Sequence, residues 1–310
     1  MRIYQDVAFD YRFEYDPEHE SADPVARMTT MRGDAPGAAA RPDDAGLVTD
    51  PERLAAVERE RHEFLADVVA EAGADRAVVA LDGGLGSTAV ATLAADALGA
   101  DRVTGLVMPA YLTHAEAAQA AEFVAEVLGV DHTRVQLTPL LAAFQTAMES
   151  SPGATDDLVA TESALARLRT ACLYYVANVA NGVVLGTADR TALFTGAVVK
   201  YGDTGVDSLP LGDLYRTEVR ALASALDLPE PTNTDALGAE GIGSAPAREE
   251  GSLAEADRDR ALHGLVDRDE SPATVADRLG LPREAVERVA TWCAETAHKR
   301  RVPPTPANGD

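Results

Sequence analysis

Between residues 77 and 137 the chain alternates short, unbroken apolar runs with longer stretches that are apolar on one side only, and few folds accept that alternation. AVVAL (77–81), VTGLVM (103–108) and RVQL (134–137) have the length and β-branched content of buried strands. Between them, Val90, Leu93, Ala94, Ala97 and Leu98, and then Phe123, Val124, Val127 and Leu128, recur at helical spacing. Parallel strands need crossovers of about a dozen residues or more, which such helices supply. The pattern therefore predicts an α/β domain with a parallel sheet flanked by helices. Further on, residues 158–181 read as a long helix, VVLGT (183–187) as another strand running into a turn, and residues 212–229 as a helix ended by Pro229. Residues 271–301 read as two short helices, a C-terminal helical tail in which Val286, Val289, Trp292 and Cys293 recur at helical spacing.

The first 49 residues read differently. Phe9, Tyr11, Phe13 and Tyr15 alternate as in a short strand, and the stretch from Gly33 to Gly46 has the Gly/Ala/Pro/Asp composition of a flexible linker. Asp50 and Pro51 then offer an N-cap and a first-turn proline to a helix carrying Leu54, Val57, Phe64, Leu65 and Val68. The predicted organisation is an N-terminal extension with linker, 1–49, and one domain, 50–310. Residues 231–252 lack an apolar period and read as a mobile loop.

At 310 residues the chain is long enough to bury a full core without disulfides, and it has only two cysteines, Cys172 and Cys293, each in an apolar setting that predicts a small buried hydrophobe. The N-terminal stretch has neither the basic start nor the apolar segment of a signal peptide, and no run reaches the roughly 18 apolar residues of a membrane span. The expected location is the cytoplasm. Acidic residues outnumber basic ones 51 to 27, leaving a formal charge of −24. Such a surface repels nucleic acid and anionic membranes, so neither is expected as a partner. Only Lys200 and Lys299 are lysines, so 25 of the 27 basic residues are arginines. Salt near 1 M shortens the Debye length to about 3 Å and screens this self-repulsion, which predicts a halophilic protein. GC-biased coding would also favour arginine.

LDGGLGSTA (81–89) falls where the first strand meets the next helix. Gly83, Gly84 and Gly86 permit a close backbone approach, and the N–H groups of Ser87 and Thr88 open a helix, an arrangement that cradles phosphate. It is neither G-x-G-x-x-G nor a Walker sequence, and alone it is also the sequence of an ordinary glycine turn. The six histidines, scattered without metal-ligand spacing, predict no zinc site.

The turn has company. ALARLRTACLYYVAN (164–178), VVLGTADRTALFTG (183–196), VVKYGDTGVDSLPLGDLYRTEVRALA (198–223) and HKRRVPPTP (298–306) follow it in that order. With these motifs, residues 51–306 resemble the ammonia-dependent NAD synthetases, relatives of the ATP pyrophosphatases whose phosphate loop reads S-G-G-x-D-S. The resemblance implies a doubly wound, Rossmann-like sheet in an adenine nucleotide alpha hydrolase-like fold, a homodimer, and ATP-dependent amidation of deamido-NAD by ammonia through an adenylated intermediate, with ATP and Mg2+ as cofactors. The N-terminal extension is too short for a glutaminase domain, so the nitrogen would come from free ammonia or another protein.

Carried over position by position, the resemblance assigns Arg167, Lys200, Asp207, His298 and Lys299 to deamido-NAD or NAD. Both surviving lysines fall in these motifs. It assigns Gly83, Gly84, Ser87, Thr88, Thr187 and Arg216 to ATP and its phosphates, Arg216 standing where the family usually has lysine. Departures lie on the same side: Asp82 replaces the first serine of the loop, and Gly86 and Ala192 stand at the two metal-ligand positions. The segment after Pro231 also departs from the family pattern K-P-P-S-A-D-L. Metal assistance to phosphoryl chemistry is worth several kcal/mol, so the implied adenylation is expected to be impaired. Two readings follow. One is a divergent synthetase with metal carboxylates relocated to Asp82 and Asp189; the other is a non-catalytic dinucleotide-binding paralogue that regulates or pairs with an active synthetase.

Overall fold

The structure, a computed structural model, describes residues 46–111, 115–149, 157–228 and 253–303. The expected strand at Phe9–Tyr15, most of the linker and the loop 231–252 lie outside them.

Four parallel strands form the sheet: β1 (Arg76–Leu81), β2 (Val103–Val107), β3 (Asp131–Arg134) and β4 (Gly182–Leu185), in the order β3-β2-β1-β4. Val79 pairs with Gly105 on one side and Leu185 on the other, so β1 is central and the chain reverses its winding between β1 and β4. Alternation in β1 sends Ala77, Val79 and Leu81 to one face and Val78 to the other, where each finds an apolar layer. This two-sided burial is why β1 and β2 read as continuous apolar runs.

On the first face lie α1 (Pro51–Glu71), α2 (Leu85–Leu98), α3 (Ala115–Leu128) and α7 (Arg216–Ala225), contributing Leu65, Leu93, Ala121 and Leu222 to the core. Asp50 caps α1 as expected, accepting the Arg53 N–H at 3.0 Å. Leu47 and Val48, just before it, already pack into the body, and the Val48 N–H donates to the Glu218 carboxylate at 2.6 Å. On the second face α5 (Leu158–Ala180) lays Leu165, Leu173 and Ala177 against Val78, Leu106 and Val184. α4 (Thr138–Met148), which the apolar pattern did not single out, precedes it.

A third cluster gathers α6 (Arg190–Thr195), α8 (Glu255–Leu262), a π-helical turn (His263–Asp267), α9 (Pro272–Leu279) and α10 (Arg283–Glu295) into a helical cap, of which α9 and α10 are the two helices expected in the C-terminal tail. Asp259, fully buried, ties the cap to the sheet domain by accepting from Thr191 Oγ1 at 2.7 Å and from the Thr217 N–H at 2.7 Å.

Several sequence expectations shift. The third strand occupies Asp131–Arg134 rather than RVQL, because an edge strand with one neighbour tolerates polar residues; Val135 still donates to the Val107 carbonyl at 2.8 Å. The helix expected from residue 212 begins at Arg216, where the Glu218 carboxylate accepts the Tyr215 N–H at 2.7 Å and fixes the start. Phe64, Phe123 and Val127 point outward, since small residues such as Ala117, Ala121 and Ala125 supply the buried face of α3. Cys293 is buried as expected, whereas Cys172 is only partly so.

Candidate functional site

The switch point between β1 and β4 puts two turns side by side at the carboxyl ends of the strands, where open α/β sheets bind ligands. After β1, Gly83 takes φ +76°, and a Cβ there would stand 2.8 Å from the Ala117 carbonyl oxygen, so only glycine fits. Gly84 opens α2 without a side-chain cap. Gly86, one turn on, faces the turn after β4: a Cβ on it would stand 2.8 Å from the Thr187 carbonyl oxygen. Ser87 and Thr88 are buried in the first turn of α2.

Asp82 is exposed, and its Oδ1 accepts the Gly84 N–H at 2.9 Å and the Ser87 hydroxyl. Gly84 leaves room for this, since a Cβ there would lie 3.0 Å from the same oxygen. Across the switch point Asp189 caps α6, its Oδ1 accepting the Ala192 N–H at 2.8 Å. Its Oδ2 pairs with Arg216 Nε, and the Asp189 side chain is only 2% exposed. Asp189 thus folds back onto the residue at the second metal position and onto the arginine assigned to the phosphates. Among the described residues no group of three or more His, Cys, Asp or Glu stands close enough to hold a metal ion.

Of the other assigned residues, Lys200, Asp207 and Lys299 lie on or against the segment 196–207, while Arg167 lies on α5 and the exposed His298 ring is 2.9 Å from the Glu295 carbonyl. Lys200 and Asp207 belong to the segment 196–207, which packs on α5: a Cβ on Gly202 would lie 2.9 Å from the Ala166 Cβ, and Thr170 Oγ1 donates to the Gly202 carbonyl at 2.9 Å. Arg167, next to Ala166, is exposed and donates to the Ser163 carbonyl at 3.3 Å. Lys200 Nζ donates to the His298 carbonyl at 2.8 Å and lies 5.0 Å from the centre of the Tyr201 ring. Lys299 Nζ donates to the Gly196 carbonyl at 2.7 Å. Burial lowers the Lys299 pKa, opposed by the neighbouring Asp203 carboxylate. Each ammonium has three donors, and these bonds use one apiece.

Asp207 is held from two sides, by Tyr174 OH at 2.8 Å and the Val184 N–H at 2.7 Å. Loss of hydration and the Asp207 charge push the Tyr174 hydroxyl well above its usual range. Asp203 titrates above the usual carboxylate range, chiefly through loss of hydration, with Arg169 opposing and Asp82 adding to the rise. Asp82 in the glycine turn and Asp203 in the 196–207 segment therefore feel each other's charge.

Sequence reasoning missed Tyr174, although the spacing of Arg167, Thr170 and Tyr174 puts all three on one face of α5. It also missed two buried arginines that hold the cap together. Arg300 donates to the carbonyls of Leu193 at 2.9 Å and Cys293 at 2.7 Å. Arg190 pairs with Asp267, which also accepts Tyr215 OH at 2.7 Å and lies 2.9 Å from His263 Nδ1. Burial pushes the Asp267 carboxyl up, but its bond with His263 and the Arg190 charge outweigh that and hold it at about 2. The Cys293 thiol, buried nearby, is pushed up to about 12. A separate cavity of about 410 Å3 opens between Tyr111, Leu141 and Leu158 and contains none of the assigned residues.

The NAD synthase family model matches residues 57–303. An NH(3)-dependent NAD(+) synthetase of Halobacterium salinarum is 39% identical over 243 residues, covering 78% of this chain and 90% of the relative. The chain also resembles the solved NH3-dependent NAD synthetase of Campylobacter jejuni, with a TM-score of 0.67 over 83% of this chain and 99% of that one; at 24% identity that likeness is one of fold. An NMN synthetase from Francisella tularensis superposes with a TM-score of 0.66 at 26% identity, over 83% of this chain and 99% of that one.

Proposed function

The chain belongs to the NAD synthase family, and from that premise we propose that its cleft holds deamido-NAD, or NAD itself, without the metal-assisted adenylation that the family couples to such binding. The carrying observation is the crowding at Gly86, where a Cβ would stand 2.8 Å from the Thr187 carbonyl oxygen, together with the ammonium groups of Lys200 and Lys299 on the segment 196–207.

The family is ATP-dependent and generally uses Mg2+. The residues present do not fit that ion. Mg2+ wants near-octahedral oxygen ligands, commonly including one or two carboxylates. Gly86 and Ala192 offer none, Asp82 is engaged with Gly84 and Ser87, and Asp189 with Ala192 and Arg216. What the cluster supplies instead is charge and position. Lys200 and Lys299 bring two ammonium groups, held by backbone carbonyls, toward a segment that α5 pins through Thr170 and Tyr174. Anionic diphosphate and carboxylate groups of a pyridine dinucleotide suit such donors.

A second reading keeps the family reaction, with Asp82 and Asp189 as relocated ligands; both carboxylates would then have to leave their present partners. Calorimetric titration in molar KCl decides between them: deamido-NAD first, then ATP with Mg2+, with an assay for released AMP and NAD. The expected result is dinucleotide binding without AMP release. Turnover abolished by Asp82→Ala would overturn it in favour of the second reading.

Exposed Leu140, Phe144 and Met148 recur every fourth residue on α4, next to exposed Leu158 and Val159 at the start of α5. This surface supports a homodimer in which a second copy covers the two helices. No helix among the described residues is long and apolar enough to cross a membrane.

A further inference from the structure

Resting on that reading, we propose that Asp82 and Asp189 are built-in stand-ins for the phosphates of ATP, so that the phosphate turn is filled from within and closed to nucleotide whether or not a metal is supplied. A glycine turn at a helix start binds an anion because its backbone N–H groups and hydroxyls point at one place. Here an anion is already there. Asp82 Oδ1 takes the Gly84 N–H at 2.9 Å and the Ser87 hydroxyl, and a Cβ on Gly84 would stand 3.0 Å from that oxygen.

The cation assigned to the phosphates is drawn onto a carboxylate in the same way. Arg216 Nε pairs with Asp189, whose other oxygen is spent on the Ala192 N–H at 2.8 Å. Both pairings involve an ionised group, which makes them stronger than bonds between neutral partners. An entering triphosphate must break them and then lie beside two carboxylates, with Asp203 a third within electrostatic reach of Asp82. The two aspartates come from turns after different strands, 107 positions apart in sequence, yet each satisfies a group that the motif assigns to phosphate. One such contact would be an isolated substitution; two make an anion site that carries its own anions.

The test titrates inorganic pyrophosphate, and separately metal-free ATP, into the full chain in molar KCl. It compares the natural sequence with Asp82→Ser, Asp82→Asn and the double variant Asp82→Ser/Asp189→Asn. The natural chain is expected to show no saturable binding, Asp82→Ser to gain at least tenfold in pyrophosphate affinity, Asp82→Asn to gain less because its amide oxygen can still accept from Gly84 and Ser87, and the double variant to gain most. Asp189 caps α6, so the double variant could unfold; the Asp82 variants leave that cap untouched and decide the matter alone. Pyrophosphate binding to the natural chain within twofold of Asp82→Ser, or no gain in either Asp82 variant, overturns the proposal. Deamido-NAD is titrated into each sample in parallel. If it fails to bind the natural chain while pyrophosphate affinity rises in the variants, the dinucleotide reading falls and the stand-in role survives; dinucleotide binding with no such gain gives the reverse.

Discussion

Gly86 and Thr187 meet across the switch point so closely that a Cβ on the glycine would stand 2.8 Å from the threonine carbonyl oxygen. The backbone therefore leaves no room there for a side chain. Restoring the carboxylate is then not a simple reversal. Gly86→Asp must push apart two turns anchored on adjacent strands, and overpacking of that kind costs about 1–3 kcal/mol. Unfolding by guanidinium in molar KCl should show a loss in this range, and neither Gly86→Asp nor its combination with Ala192→Glu should yield Mg2+-dependent AMP release. Full stability together with restored turnover would show that the two turns separate easily.

The lysine pair carries the next prediction. Lys200 and Lys299 each spend one donor on a carbonyl, of His298 and Gly196 respectively, and keep two for a ligand. Removing a charged hydrogen-bond partner of a bound anion costs about 1.5–3 kcal/mol, so Lys200→Ala should weaken deamido-NAD at least about tenfold. Lys200→Arg keeps the charge and should recover part of the loss. Calorimetry on the three proteins checks this, and equal affinities would remove Lys200 from the site.

Much of this architecture is legible in the chain itself, for a physical reason: β1 and β2 are buried on both faces, so their apolar runs are unbroken. β3 is an edge strand of polar residues and leaves no such trace, and α8, with the sequence EADRDRAL, carries too much charge to show an apolar period. The candidate site divides in the same way. The motifs name Lys200 and Lys299 because lysine stands out in this composition, and Asp207 only because it falls in the same motif as Lys200. The pairing of Arg216 with Asp189 was not legible, because it depends on how the turn after β4 meets the start of α7. Gly86 could be read as a lost carboxylate, but not as a closed contact, since no pattern along one turn reports the distance to another.

The charge of −24 sets a salt dependence. With few lysines and arginines to offset it, lowering the ionic strength lengthens the screening distance from about 3 Å at 1 M to about 30 Å at 0.01 M and lets the acidic surface repel itself. The melting temperature followed by circular dichroism should fall steeply as KCl is dialysed from molar to millimolar concentrations, with unfolding at the low end. A melting temperature independent of salt would leave GC-biased coding as the source of the arginine excess.

Asp267 lies in the cap, buried among Arg190, Tyr215 and His263 and held at about 2 against a usual value near 3.8. A carboxyl whose folded-state pKa is depressed stabilises the fold fully above its unfolded value and loses that contribution as pH falls through the folded value. The window is thus about pH 4 down to about pH 2, and a shift of this size corresponds to about 2 kcal/mol. Asp267→Asn should be less stable than the natural chain at neutral pH, by at least that amount because Arg190 is left without its buried counter-charge. The gap between the two proteins should then narrow as the pH is lowered through the window, since protonated aspartic acid and asparagine are both neutral. Unfolding measured at constant molar KCl from pH 6 to pH 2 checks it, because subtracting one curve from the other cancels the titration of the other carboxylates. A gap that stays constant over that range would mean that the Arg190–Asp267 pair contributes through packing and not through charge.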